Sequence, residues 1–410
     1  MLLRLLIVWL AFNCSAQIIE YSPRSAPIKD KRAGPLFRIL RSGLWGYMNR
    51  SGEVVIQPEF DDAHGFFDGL AAVQFHSKWG YVAETGAFAI PPEFDRAADF
   101  DNDLAPVTVG ERVGLIDRKG TFVVRPQFDQ IGPFVDGLAA VWVGAKRQGN
   151  ERLVWIYGGK WGFMDRSGSI VVKPQFDWAQ DFSEGLAAVG FGGKRDANGD
   201  IATMDGVKWG FIDKTGKVVI PATFDEVKPF SSGAVVVWSE KEKKLGLIDR
   251  SGKLILPYRF QSIEPFREGL AAVRGPEGPG YITPDGHFTI QASGWDFGTY
   301  YQGFGIFSGG LAPVNRGDNQ TGFIDKTGKL QIPIQFDRTL GFSEGLAAVR
   351  EGEQYKWGYI DASGKMVIPF KFDDAASFVD GLALVKTGDF WSYIDTTGSV
   401  VLSDVFRSEE

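Results

Sequence analysis

Hydrophobic and polar positions alternate along this chain in short runs that return at a fixed interval. One such run is Lys208-Trp209-Gly210-Phe211-Ile212-Asp213-Lys214-Thr215-Gly216-Lys217-Val218-Val219-Ile220-Pro221, and versions of it occur ten times. The anchor glycines are Gly46, Gly80, Gly114, Gly162, Gly210, Gly246, Gly280, Gly322 and Gly358, with Ser392 in the last place. The basic step is 34 to 36 residues, and steps of 48, 48 and 42 mark insertions. A repeat of this period means an array of one supersecondary unit.

Each unit reads as three strands. The first opens with Gly-Leu-Ala-Ala-Val, at Gly69, Gly137, Gly185, Gly269 and Gly345, and is short and apolar. The second is the Trp-Gly-Tyr/Phe-Ile-Asp run, and the third is the Val-Val-Ile run before proline. Between the last two, Asp-x-x-Gly predicts a hairpin loop in which Asp starts a type I turn and Gly takes a positive φ. Asp117, Asp165, Asp213, Asp249, Asp325, Asp361 and Asp395 hold that place. Proline after the third strand, as at Pro58, Pro126, Pro174, Pro221, Pro257, Pro333 and Pro369, is expected to end it, because proline offers no N–H to a ladder.

The rest of each unit carries two aromatic positions. Phe-Asp occurs at Phe60, Phe94, Phe128, Phe176, Phe224, Phe336 and Phe372, and a second phenylalanine precedes each Gly-Leu position, as at Phe66, Phe100, Phe134, Phe182 and Phe342. A three-stranded meander cannot seal its own apolar face. Both rings are therefore expected to be core that packs on the next unit.

The pattern Lys-Trp-Gly-Tyr/Phe-Ile-Asp-x-x-Gly-Lys-x-Val-Ile-Pro-x-x-Phe-Asp, followed by Phe-x-x-Gly-Leu-Ala-x-Val, resembles the bacterial WG-repeat (KWG) family from Gly34 to Phe406. Trp is absent at Val113, Leu245, Pro279 and Thr321, so those units are expected to be less regular. The resemblance implies a β-rich repeat protein, often secreted or surface-associated, with no reaction common to the family. It transfers no catalytic residue.

The expected fold is all-β, a tandem array of about ten three-stranded antiparallel meanders over residues 34–406, with residues 407–410 as a tail. Either an open, curved or superhelical array or a propeller-like ring satisfies the repeat. The open array is favoured, because a propeller usually closes by exchanging strands between its first and last blades and no such offset is visible.

Residues 1–16 differ in kind. Arg4 follows a short start, Leu5 to Phe12 is apolar, and Cys14-Ser15-Ala16 precedes Gln17, the layout of a secretory signal peptide cleaved after Ala16. The run is too short to span a bilayer, so no transmembrane segment is expected after its removal. A lipoprotein would use Cys14, but Asn13 fits that reading poorly. Cys14 is the only cysteine, so a mature chain has no thiol for a disulfide or a metal. Residues 17–33 read as a linker, and the protein is expected to be exported, periplasmic or extracellular.

A net charge of -7 with no clustered basic face argues against nucleic acid. Gly341-Phe342-Ser343-Glu344-Gly345 matches G-x-S-x-G literally, yet a strand rather than a helix follows, so Ser343 is read as a turn residue. His64, His76 and His287 fall in different units and are read as surface loop residues. Asp196-Ala197-Asn198-Gly199-Asp200 spaces oxygen donors like the start of a calcium loop, but Val207 stands where the closing glutamate belongs. No cofactor, metal or catalytic residue is expected.

Insertions near 144–160, 190–208 and 297–309 carry the individuality of the chain. The third is rich in glycine and aromatics, and Trp295, Tyr300, Tyr301 and Phe304 are the candidate binding residues. The expected function is a non-catalytic binding or scaffold surface for protein or envelope glycan. The alternative is a glycan-active hydrolase using carboxylates in the insertion loops.

Overall fold

The structure, a computed structural model, describes residues 36–50, 52–150, 153–195, 201–203, 206–292, 294–296, 305–316, 320–352, 355–379 and 381–407. Among them every regular element is a strand. The predicted meander is present in every repeat: in one, Leu70–Phe75 pairs antiparallel with Lys78–Ala83, and that strand pairs with Phe88–Phe94.

Sequence patterning missed a fourth strand. The residues after Phe-Asp form a short strand beside the next Gly-Leu strand, on the side away from the Trp-Gly strand, as where Arg96–Ala97 pairs with Leu104–Val109. Its first bond is backbone only, Asp95 N–H to the Thr108 carbonyl at 2.9 Å, so no side-chain pattern announces it. Among the described residues eight repeat sheets have four strands and two have three.

Proline does not end the third strand. Val54–Phe60, Ile170–Phe176 and Met366–Phe372 run through their prolines to the Phe of Phe-Asp. Two features allow it. The third strand lies at the edge of its sheet, and it carries a wide bulge there. Trp161 faces Phe176 and Phe163 faces Val172, so two steps on one strand match four on the other. The extra residues leave the ladder, and proline's missing N–H costs no bond.

The bulge also explains the anchor glycine. A Cβ on Gly162 would lie 2.5 Å from the Val172 carbonyl oxygen and 2.6 Å from Pro174 N. The same clash recurs at Gly80 and Gly358, both against the third-strand carbonyl at 2.6 Å. Close backbone approach admits only glycine there.

The core lies between sheets. Leu70, Ala72, Tyr81, Ile90 and Phe94 of one sheet form a buried cluster with Ala105, Val107 and Ile116 of the next. Plug rings seal that seam edge-on: Phe66 lies 4.8 Å from Tyr47, Phe100 4.7 Å from Tyr81, and Phe378 4.9 Å from Tyr359. Tyr47, Tyr81 and Tyr359 each donate their hydroxyl at 2.7 Å to a backbone carbonyl two residues before the plug. Burial pushes these phenols well above their usual pKa. Phe134 departs from the pattern: it is only half-buried, with the Arg166 guanidinium over its ring at 4.7 Å.

Contacts divide the chain into two compact units. One contains Gln127–Pro229 and the other contains the described residues of Ala26–Pro126 and Phe230–Glu410. In the first unit the cluster of Phe163, Phe176, Phe182 and Val189 joins two consecutive sheets. In the second, Ile39 and Met48 from the first repeat share a buried cluster with Leu402 and Val405 from the last. Phe37 lies 5.3 Å from Tyr393 in the same seam. The end repeats are therefore neighbours, as the propeller-like alternative requires and the favoured open array does not.

Candidate functional site

Of the four predicted binding residues the structure describes one. Trp295 is 8% exposed and belongs to a core cluster with Tyr281, Ile290, Phe307 and Val314. Its ring lies 6.2 Å from Tyr281. Tyr300, Tyr301 and Phe304 lie outside the described residues, as do the signal peptide and linker and the loop Asp196 to Asp200.

Trp295 fills a slot that the repeat provides. Asp296 N–H donates to the Asn315 carbonyl at 2.8 Å, the bond that Asp95 makes to Thr108 in a regular repeat. Trp295-Asp296 thus replaces Phe-Asp in the seventh unit. The signal was legible as an aromatic followed by Asp after the third strand, but the single added residue and the Trp concealed it. Arg274 clamps the Asp296 carboxylate with two bonds of 2.6 and 2.9 Å.

Elsewhere the Phe-Asp aspartates tie neighbouring repeats together. Asp95 accepts from Lys78 Nζ at 2.5 Å and from Gly110 N–H, in the following hairpin, at 2.6 Å. Asp373 does the same with Lys356 and Gly388. The lysine before Trp-Gly is thereby explained, and its hydrogen bond is the main cause that lowers the pKa of both carboxyls. In the first unit Asp177 joins Lys160 to Gly192 N–H in the same way.

The hairpin aspartates close their own turns. Asp165 Oδ1 accepts from Ser167 N–H at 2.9 Å, Ser169 N–H at 3.0 Å and the Ser167 hydroxyl at 2.6 Å. That hydroxyl is the leading cause of its lowered pKa, and a Thr hydroxyl plays the same part for Asp325, which is brought down to about 2.

Ser343 lies at the start of a two-residue hairpin whose central residues, Glu344 and Gly345, have φ of 52° and 82°. Its hydroxyl donates to the Phe378 carbonyl of the next repeat at 2.7 Å, so it is a tie between units. Strand Leu346–Glu351 follows it.

His76 and His287 are turn residues, the first with φ of 49° and the second largely exposed beside Asp285. His64 is not a surface loop residue. Its side chain is 13% exposed, packs 5.0 Å from the Trp79 ring, and places Nδ1 2.7 Å from Asp99 Oδ1 of the next repeat. Two positions before the plug is a seam position, which the repeat frame could have revealed. Among the described residues no group of three His, Cys, Asp or Glu is arranged to hold a metal. Among them, too, no helix is long and apolar enough to cross a membrane.

Two insertions build strands in the first unit. Leu138–Asn150 and Leu153–Asp165, thirteen residues each, extend one sheet into a ribbon that stays paired from Ala145↔Gly158 to Asn150↔Leu153. Trp142 stacks on Trp161 at the base, 5.7 Å apart, and donates its indole N–H to the Gly158 carbonyl at 3.0 Å. Gly159 has φ of 70°, and a Cβ on it would lie 2.7 Å from the Trp142 indole nitrogen. The second insertion forms the small hairpin Lys194–Arg195 with Ile201–Thr203.

No curated protein matches the chain. Among solved structures the chain is similar to the computationally designed Ika8 protein (12% identity, 74% of this chain and 93% of that chain, TM-score 0.33). BamB from Moraxella catarrhalis (11%, 79% and 95%, 0.29) is another. A third is the extracellular domain of a putative hybrid two component system from B. thetaiotaomicron (11%, 90% and 62%, 0.26). The family of WG containing repeats matches eight times, at residues 45–79, 79–112, 114–146, 161–194, 209–237, 246–274, 322–355 and 357–389. Those matches span more than half of the chain, frame the Trp-Gly strands described above, and make this protein a member of the WG-repeat family.

Proposed function

We propose that this protein is an exported, non-catalytic repeat protein whose surface binds protein or envelope glycan. One observation carries the reading: the groups that resemble catalytic machinery are engaged in closing turns and in holding repeats together. The Phe-Asp carboxylates bind lysine and backbone N–H, the hairpin carboxylates cap turns, and Ser343 bonds to the next unit. Individuality is left to the insertions, where arrays commonly carry their binding faces. Export rests on the basic start, apolar run and Ala16 of the first sixteen residues.

The third insertion remains the proposed ligand contact through Tyr300, Tyr301 and Phe304, with Trp295 as its buried footing. Aromatic anchors concentrate binding energy in rigid area that loses little entropy on contact. The test is retention of envelope proteins and glycans by the immobilised mature chain. Tyr300→Ala with Tyr301→Ala is expected to abolish retention and leave the melting temperature unchanged. An unaltered catch removes the site assignment, and an early melt places the rings in the core.

A further inference from the structure

Paired strands seldom set like charges opposite each other, because the pair repels. In this array the residue after Phe-Asp faces the residue after the Ala-Ala-Val run, as Asp62 faces Gln74 and Asp374 faces Lys386. In the ninth unit that pair is Arg338 and Arg350. Among the described residues neither guanidinium has a hydrogen bond or an ion pair. Asp337 and Asp374 act on Arg350 through space, and neither lies within ion-pair distance of it.

Arg350 is also half-buried. Its guanidinium lies over the rings of Tyr355 and Trp357, 5.0 and 5.8 Å from their centroids. Its Nε is shut off from solvent without a partner. Burial lowers the pKa of the group, and the Arg338 charge adds to the effect. A charge held in this way is costly unless a counter-ion meets it.

Elsewhere the array supplies that counter-ion itself. Arg274 holds the corresponding place in the seventh unit and clamps the Asp296 carboxylate with two bonds. It can do so because Gly278 stands where other units have the lysine before Trp-Gly. The ninth unit keeps that lysine, and Lys356 with Gly388 N–H holds Asp373, the counterpart of Asp296. Arg350 thus stands at the place of a carboxylate clamp whose internal carboxylate is already engaged.

Tyr355 selects among anions. Four residues, 352–355, join Glu351 to Lys356, where two join Phe75 to Lys78, and Tyr355 in this longer hairpin is 61% exposed. An exposed aromatic ring beside two guanidiniums suits a sugar that carries a carboxylate. The apolar C–H face of the sugar packs on the phenol, and arginine meets the carboxylate with two parallel bonds. An acidic side chain of a peptide would use the arginines and leave the tyrosine uncovered.

We propose that Arg338, Arg350 and Tyr355 form a binding site for an acidic glycan, with the arginines on the carboxylate of a uronic acid and Tyr355 on the face of its ring. The inference rests on the binding-surface reading and names a ligand class for it.

Trigalacturonic acid is the probe, titrated calorimetrically into the full mature chain, with its methyl ester as the neutral control. Saturable binding of the acid is expected, and the ester should bind at least tenfold more weakly. Arg338→Gln and Tyr355→Ala should each weaken binding of the acid at least tenfold. Because the two guanidiniums repel, Arg338→Gln should leave the melting temperature of the ligand-free chain unchanged or raised, which a structural role for Arg338 would not allow.

Failure of the acid to bind overturns the site. So does equal binding of the ester, undiminished binding by either variant, or earlier melting of ligand-free Arg338→Gln. Hexaglutamate binding as tightly as the acid, with the same dependence on Arg338, would show an acidic-peptide site instead. If trigalacturonic acid does not bind while the immobilised chain still retains envelope protein or glycan, this site falls and the binding-surface reading stands. If the chain retains neither, the broader reading falls.

Discussion

Glycine at the Trp-Gly position is held there by the neighbouring strand, not by its own dihedrals. At Gly162 the third-strand backbone comes within 2.5 Å of where a Cβ would stand, and only strand displacement could relieve the clash. Gly162→Ala is therefore expected to destabilise by about 1–3 kcal/mol, the usual cost of overpacking. Urea unfolding measures it. The tenth repeat carries Ser392 at this place, and nothing in the structure explains its tolerance. The hairpin aspartates act at the same scale and set an acid limit. The pKa of Asp325 falls from 3.8 to about 2 on folding, so its contribution is present above the unfolded value and is lost as pH falls through about 2. Melting curves of Asp325→Ala and wild type should lie apart at pH 5 and converge as pH approaches 2. A gap independent of pH would refute the turn-capping role.

Within an element the decisive contact is the plug ring against the aromatic of the preceding repeat. Phe182 is 2% exposed and lies 4.8 Å from Phe163, so Phe182→Ala should cost about 3–5 kcal/mol. Phe134 occupies the same sequence position half-exposed, and Phe134→Ala should cost clearly less. Sequence spacing alone would make the two equal. Ser343→Ala, at a position the sequence marks only as a turn, removes a bond of 2.7 Å between repeats and is expected to cost about 0.5–1.5 kcal/mol. Denaturant unfolding of the three variants should give the order Phe182, then Phe134 and Ser343. A neutral Phe182→Ala would refute the inter-repeat core.

At the scale of the molecule, stability in an array is a sum of units and their shared faces. The second unit has a face that no linear array would have, where Leu402 and Val405 cover Ile39 and Met48. A chain ending at residue 398 should melt earlier than the whole chain, with the loss concentrated in amide protection of Phe37–Met48. Unchanged protection there would show that the last strand does not support the first.

The repeat, its ten copies, the Asp-x-x-Gly hairpins and the core rings were all legible in the amino-acid sequence, because each is a local pattern of side chains at fixed spacing. Trp295 was misread because its slot is defined by the bond from Asp296 to Asn315, nineteen residues away, and an insertion had displaced the frame. The fourth strand, the bulge that accommodates Pro174, the seam around His64 and Asp99, and the meeting of the first and last repeats were decided only in three dimensions. All of these depend on backbone groups or on faces from different repeats. Period and polarity encode which side of a strand is buried; they do not encode which backbone lies beside it.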